Sequence, residues 1–138
     1  VGENVSFNAI STDTRKIQQG DLFVALQGEN FDANDFVEQA NKNGAVAAIV
    51  SAEISVDMPY VRVDDTLLAL TQIAKEQRKV LDIPLVAITG SNGKTSVKEM
   101  LASILSGSNK VLATEGNLNN QIGVPLTWQY SGCCQRER

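Results

Sequence analysis

The stretch Thr89–Gly90–Ser91–Asn92–Gly93–Lys94–Thr95–Ser96 decides how this chain is read. Ahead of it, the apolar run Leu85–Ile88 predicts a short strand. Behind it, Val97, Met100, Leu101, Ile104 and Leu105 recur at i, i+3, i+4, i+7 and i+8, which predicts an amphipathic helix to about Leu105. Strand, glycine-bearing loop and helix in that order suit an anion cradle. Gly90 and Gly93 allow backbone amides to turn inward without side-chain obstruction, and the helix start aims unpaired N–H groups and a positive dipole end at the same point. Lys94 adds a mobile positive charge for outer phosphates, and the Thr95 hydroxyl is the expected magnesium contact. The general phosphate-loop pattern asks for a glycine five residues before Gly93, where this chain has Ile88. A plain strand-to-helix turn is therefore the competing reading, and the order of elements favours phosphate binding.

Leu81–Asp82–Ile83–Pro84 breaks the pattern before the loop, because proline disfavours helical geometry in the residue preceding it. A domain boundary is expected there, dividing residues 1–82 from 83–138. In the first part, Val5–Ile10 and Leu22–Leu26 read as strands separated by turns at Asp13–Thr14 and Gln19–Gly20–Asp21. Asp32 is a plausible N-cap for a helix over about Asn34–Asn43, with apolar Phe36, Val37 and Ala40 behind it and Gly44 as the stop. Strands at Val46–Val50 and Tyr60–Val63 follow, then a helix capped by Asp64 or Asp65 that reaches about Val80 with Leu67, Leu70 and Ala74 on one face. After the loop helix, Lys110–Ala113 is expected as a strand and Gly116–Pro125 as a polar loop ending at a helix start. The fold class is α/β: a small amino-terminal α/β domain followed by the start of a phosphate-loop domain.

Composition narrows the function classes. The 138 residues carry a net charge of -4, which offers no electrostatic footprint for nucleic acid or an anionic membrane. No apolar run approaches the ~20 residues that span a bilayer, and Val1–Asn8 lacks the pattern of a signal peptide, so a cytoplasmic protein without membrane insertion is expected. The adjacent Cys133 and Cys134 read as two thiols of a tail rather than a disulfide framework. With no histidine in the sequence, histidine general bases and histidine-bound zinc are excluded within this chain.

Three ordered segments carry a family resemblance over about residues 8–127. The motif Thr-Gly-x-x-Gly-Lys-Thr-Ser at Thr89–Ser96 resembles the ATP loop of the Mur ligases, which build the peptidoglycan peptide, and of the related folylpolyglutamate synthetases. Ser11–Thr12–Asp13–Thr14–Arg15, with Gly20–Glu29 and Phe31–Asp32, resembles the amino-terminal domain shared by the third- and fourth-step Mur ligases. Gly116–Asn117–Leu118–Asn119–Asn120–Gln121–Ile122–Gly123–Val124–Pro125 is similar to the fourth-step member, the third-step member usually carrying paired threonines where Asn119 and Asn120 stand.

The resemblance implies an ATP-dependent ligase of peptidoglycan precursor synthesis that joins D-alanyl-D-alanine to UDP-N-acetylmuramoyl-tripeptide through an acyl phosphate. It implies ATP and Mg2+ as cofactors, Gly90, Ser91, Asn92, Gly93, Lys94, Thr95 and Ser96 as the ATP contacts, Lys94 as the catalytic residue and Thr95 as the metal contact. Thr14, Glu29, Asn30, Phe31, Asn119 and Asn120 would then meet the UDP-linked substrate. Read from residue chemistry alone, Thr14 also suits an ordinary turn, Phe31 a core anchor, and the two asparagines a self-capped turn. From Trp128 the sequence is expected to depart from the family pattern, in which later magnesium ligands and a closing domain would follow. The chain is accordingly read as an amino-terminal fragment, inactive alone. Two alternatives stand beside this reading: the lysine- or diaminopimelate-adding Mur ligase, and a non-catalytic nucleotide-binding module.

Overall fold

The computed structural model describes residues 4–28, 31–81, 83–114 and 120–127. The tail from Trp128, both cysteines, Glu29, Asn30 and Asn119 lie outside the described residues. By internal contacts the chain divides into two compact units, Val1–Gln72 and Ile73–Arg138.

The first unit is built on a parallel sheet of β1 (Ile10–Ser11), β2 (Asp21–Val24), β5 (Ala45–Val50) and β6 (Tyr60–Arg62), in that spatial order. The central strands are apolar runs because both of their faces are covered. All four residues of β2 are buried, as are five of the six in β5, whereas β6 at the edge is exposed throughout. Register is fixed by pairing Leu22 with Ala47, Phe23 with Ala48 and Val24 with Ile49, after an irregularity between Asp21 and Leu22. Asp21 is buried at the strand start, where its carboxylate accepts the backbone N–H of Gln18 at 2.8 Å and so closes the preceding turn.

Between β2 and β5 lie a short antiparallel hairpin, β3 (Gln27–Gly28) with β4 (Phe31–Asp32), a 3-10 turn at Ala33–Phe36, and helix α1 (Val37–Lys42). Asp32 is an N-cap as expected, its carboxylate accepting the Asn34 N–H, but of this 3-10 turn; the α-helix expected over about Asn34–Asn43 starts only at Val37. Gly44 ends α1 at φ 110, and a Cβ there would meet Gln19. Phe23, Val37, Ala40, Ala48 and Val50 form the heart of the core.

Helix α2 (Thr66–Val80) starts where Asp65 accepts the Leu68 N–H at 2.8 Å, and buries Thr66, Leu70 and Ala74, one residue per turn. The division between these units falls inside this helix, after Gln72. The guanidinium of Arg78 donates to the carbonyls of Leu81 and Ile83, securing the chain where α2 gives way to the Pro84 break. Helix α3 (Lys94–Ser106) follows the loop, and residues 123–127 are again helical, with Pro125 in the first turn.

Three expected strands differ. Of Val5–Ile10 only Ile10 enters a strand, β1 with Ser11, because the residues before Ile10 are largely exposed and β2 supplies just four residues to pair. Leu85–Ile88 and Lys110–Ala113 form no ladder among the described residues. A strand exists only through a hydrogen-bonded neighbour, and the apolar side chains of Leu85, Val86, Val111 and Leu112 stand exposed.

Candidate functional site

The loop before α3 owes its shape to Gly93, which takes the left-handed conformation at φ 76, ψ 0 and serves as the helix N-cap. Residues with a Cβ are strained there, and nothing lies within 4 Å of the position a Cβ would take. The helical ladder begins with the Val97 N–H donating to the Gly93 carbonyl at 2.9 Å. The amides of Lys94, Thr95 and Ser96 precede that first bond, which makes them the donor set a helix start offers to an anion.

Lys94 opens α3 and folds back over the loop. Its ammonium donates to the Gly90 carbonyl at 2.5 Å and to the Ser91 carbonyl at 3.3 Å. The positive charge is thereby held at the loop rather than trailing in water, and Gly90, Ser91, Asn92, Gly93, Lys94, Thr95 and Ser96 are brought together as one local structure. Thr95 stands exposed on the first turn. Among the described residues no group of three or more His, Cys, Asp or Glu is gathered for a metal ion. Thr95 offers one exposed hydroxyl oxygen, a donor of the kind Mg2+ takes together with phosphate oxygens, water and, ordinarily, one or two carboxylates.

One turn further along α3, Lys98 was not singled out by its sequence position. Its side chain is only 16% exposed; it pairs with Glu99 at 2.9 Å and donates to the Thr114 carbonyl at 2.5 Å. This ties the loop helix to the segment leading toward Asn120. Asn120 itself accepts from the Ile122 and Gly123 amides at 3.2 and 2.7 Å, so its carboxamide oxygen caps the helical turn that follows.

The remaining candidates belong to the first unit. Thr14 begins the 3-10 turn Thr14–Lys16, and its carbonyl accepts from the Asn43 side chain at 2.8 Å. Asp13 caps this turn, and its carboxylate is also held by Arg15 at 2.8 and 2.9 Å. The Arg15 side-chain bonds, then the Arg15 backbone N–H, lower its pKa to about 2. Phe31 sits on β4 and is 55% exposed, so it is no core anchor. Its ring stacks on that of Phe36, with centroids 5.4 Å apart and planes at 21°. Phe36, expected with the apolar face of the helix, is 38% exposed and belongs instead to this aromatic pair.

These features define a class: an α/β protein with a glycine-turned phosphate loop at a helix start. Sequence profiles narrow it further. The profile of the Mur ligase family catalytic domain matches residues 6–108, and that of the Mur ligase middle domain matches residues 88–131. The chain belongs to the Mur ligase family.

Among individual relatives, the UDP-N-acetylmuramoyl-tripeptide–D-alanyl-D-alanine ligase of Escherichia coli (strain K12) is 52% identical over 126 residues, 91% of this chain and 28% of that enzyme. A crystal structure of MurF from Acinetobacter baumannii matches with a TM-score of 0.82 at 46% identity, covering 88% of this chain and 27% of that one. The MurF ligase of Thermotoga maritima, in complex with ADP, matches with a TM-score of 0.80 at 31% identity, covering 93% of this chain and 30% of that one. The chain thus spans less than a third of the length of these relatives. Among the described residues no helix is long and apolar enough to cross a membrane.

Proposed function

We propose that this chain supplies the phosphate loop and the nucleotide-substrate face of a cytoplasmic, ATP-dependent ligase that joins D-alanyl-D-alanine to UDP-N-acetylmuramoyl-tripeptide. The observation that carries the reading is the intact loop geometry, Gly93 left-handed and Lys94 folded over it, in a chain 52% identical to an enzyme of that name. The ADP complex of a relative at 31% identity supports adenine nucleotide as the ligand of the loop. The boundary near 82 is part of the same proposal, separating the part that meets the uridine end of the UDP-linked substrate from the part that meets ATP.

The chemical task is to bring a carboxylate and a polyphosphate together and move a phosphoryl group between them. Both reactants are anionic, so the protein acts chiefly by neutralising and positioning charge. The amides of Lys94, Thr95 and Ser96 receive phosphate oxygens. Lys94 needs only to exchange its two carbonyl partners for phosphate oxygens, which gives an ion-paired hydrogen bond in place of one to a neutral acceptor. Thr95 would hold Mg2+, which supplies further charge neutralisation. Thr14 and Phe31, with Glu29 and Asn30, would meet the uridine end of the substrate, and Asn119 and Asn120 its phosphates. The capping bonds of Asn120 occupy its carboxamide oxygen, so a phosphate contact would come from its NH2 group, a donor suited to that partner.

A chimera tests the proposal. Residues 1–127 of this chain replace the corresponding part of the Escherichia coli relative, and the purified hybrid is assayed for phosphate release. Release that requires both UDP-N-acetylmuramoyl-tripeptide and D-alanyl-D-alanine is expected. Release supported instead by lysine or diaminopimelate with the preceding dipeptide substrate, or a folded hybrid with no turnover, overturns it.

A further inference from the structure

Hairpin β3–β4 has only two residues in each strand, and a two-stranded ribbon of that size is marginal by itself. Yet it carries Phe31, whose ring is half exposed and stacked on Phe36. Something must hold the pair in register, and the side chain at its centre does so. Asn34 lies three residues after Phe31 and two before Phe36, within the 3-10 turn that joins them.

Every polar function of the Asn34 carboxamide is engaged. Its nitrogen donates to the Asp32 carboxylate at 2.6 Å and to the Ser51 hydroxyl at 2.8 Å, and its oxygen accepts the Ser51 backbone N–H at 3.1 Å. The amide orientation is fixed, because a backbone N–H must face an acceptor. Asp32 in turn accepts from Gln27 across the hairpin at 2.9 Å and from the Asn34 backbone N–H at 2.9 Å. These bonds, the Asn34 N–H first and Gln27 next, hold the Asp32 carboxyl below its usual range. Ser51 directly follows β5, a buried central strand of the sheet. The turn between the two rings is therefore tied to the end of a buried central strand, at a residue 17 positions away in sequence.

We infer that Asn34 is a positioning residue that presets the Phe31–Phe36 stack as a platform for the planar base of the nucleotide substrate. The inference rests on the reading of Phe31 as a uridine contact and adds to it Phe36, Asn34 and Ser51. A flat base adds to a pair of stacked rings at low ordering cost only if the rings are already fixed. Losing the brace leaves both rings present and charges the base with ordering them.

The test is calorimetric titration of the 138-residue chain with uridine 5′-diphosphate, with thermal unfolding on the same preparations. Asn34→Ala is expected to weaken binding by about three- to tenfold, the value of one aromatic pair, with unchanged stoichiometry and a loss no greater than that of Phe31→Ala. Ser51→Ala, which removes only the hydroxyl, is expected to lose less and to keep the protein folded should Asn34→Ala not fold. A purely structural asparagine gives the opposite pattern: a lower unfolding midpoint and a smaller binding-competent fraction with the same Kd, which overturns the inference. If Phe31→Ala weakens binding and neither Asn34→Ala nor Ser51→Ala does, the brace fails while the uridine reading stands. If Phe31→Ala leaves the affinity unchanged, or no binding is measurable, the uridine reading itself fails and the inference falls with it.

Discussion

The two units use apolar sequence in opposite ways. In the first, pattern and burial coincide over the central strands and α1: Phe23 is 1% exposed, and Val24, Val37, Ala40 and Val50 are equally enclosed. In the second, α3 carries a stripe of comparable regularity, yet none of its residues is buried and Ile104 is 74% exposed. Hydrophobic spacing identifies which face of a helix is apolar; it does not say what covers that face. The phosphate loop is indifferent to the difference. A left-handed glycine, a lysine that reaches back three or four residues, and three amides ahead of the helical ladder are all local features. The unit with the firmer core holds the candidate substrate face, and the unit with the more exposed helix holds the candidate chemistry.

The contrast is broken most directly by cutting into each unit of the 138-residue chain. Phe23→Ala removes a fully enclosed ring and is expected to cost about 3–5 kcal/mol in urea unfolding. Ile104→Ser on the exposed face of α3 is expected to stay within about 0.5 kcal/mol. Comparable losses at both positions would mean that α3 is covered in solution and that the contrast is false.

Next in size is Lys94→Ala in a polypeptide extended to the full length of the relatives. Turnover is expected to fall on the order of a hundredfold or more, as when a charge aimed at a transferring phosphoryl group is removed. Its bonds to the Gly90 and Ser91 carbonyls add a stability cost of about 1 kcal/mol. Near-normal turnover, or activity lost only in proportion to unfolded protein, would remove the loop from the chemistry.

The smallest effect concerns acid stability of the first unit. Asp13 titrates at about 2 in the folded chain against an ordinary 3.8, because Arg15 stabilises its charged form. A depressed carboxylate contributes stability that is complete above about pH 4 and fades as pH falls through about 2. Asp13→Asn should flatten the stability curve in that interval. An unchanged acid limb would show that the Arg15 bonds contribute nothing in solution.

Much of this was legible because it depends on neighbours in sequence. Asp32 and Asp65 cap where their spacing puts them, Gly44 ends α1 because only a glycine sits easily at its φ, and Thr89–Ser96 announces the loop outright. What escaped depends on partners elsewhere in the chain. Leu85–Ile88 has the apolarity of a strand without a ladder to join among the described residues. Two-residue strands such as β3 and β4 have no periodicity to detect, so Phe36 passed for a core residue and its stack with Phe31 stayed hidden. Lys98 carries no local signal in the sequence, and its bond to Thr114 places it. Asn120 was ambiguous between turn and ligand, and its capping bonds engage one end of a side chain whose chemistry allows both.

Edge strand β6 has a consequence for handling the protein. Tyr60, Val61 and Arg62 pair with β5 on one side, and among the described residues no strand follows on the other. The outer backbone groups of such a rim are a template on which a strand of another molecule can grow, and Tyr60 and Val61 favour that addition while the charge of Arg62 opposes it. Concentration and ionic strength are therefore the variables to control in storage: salt that screens Arg62 weakens the guard on an otherwise adhesive seam.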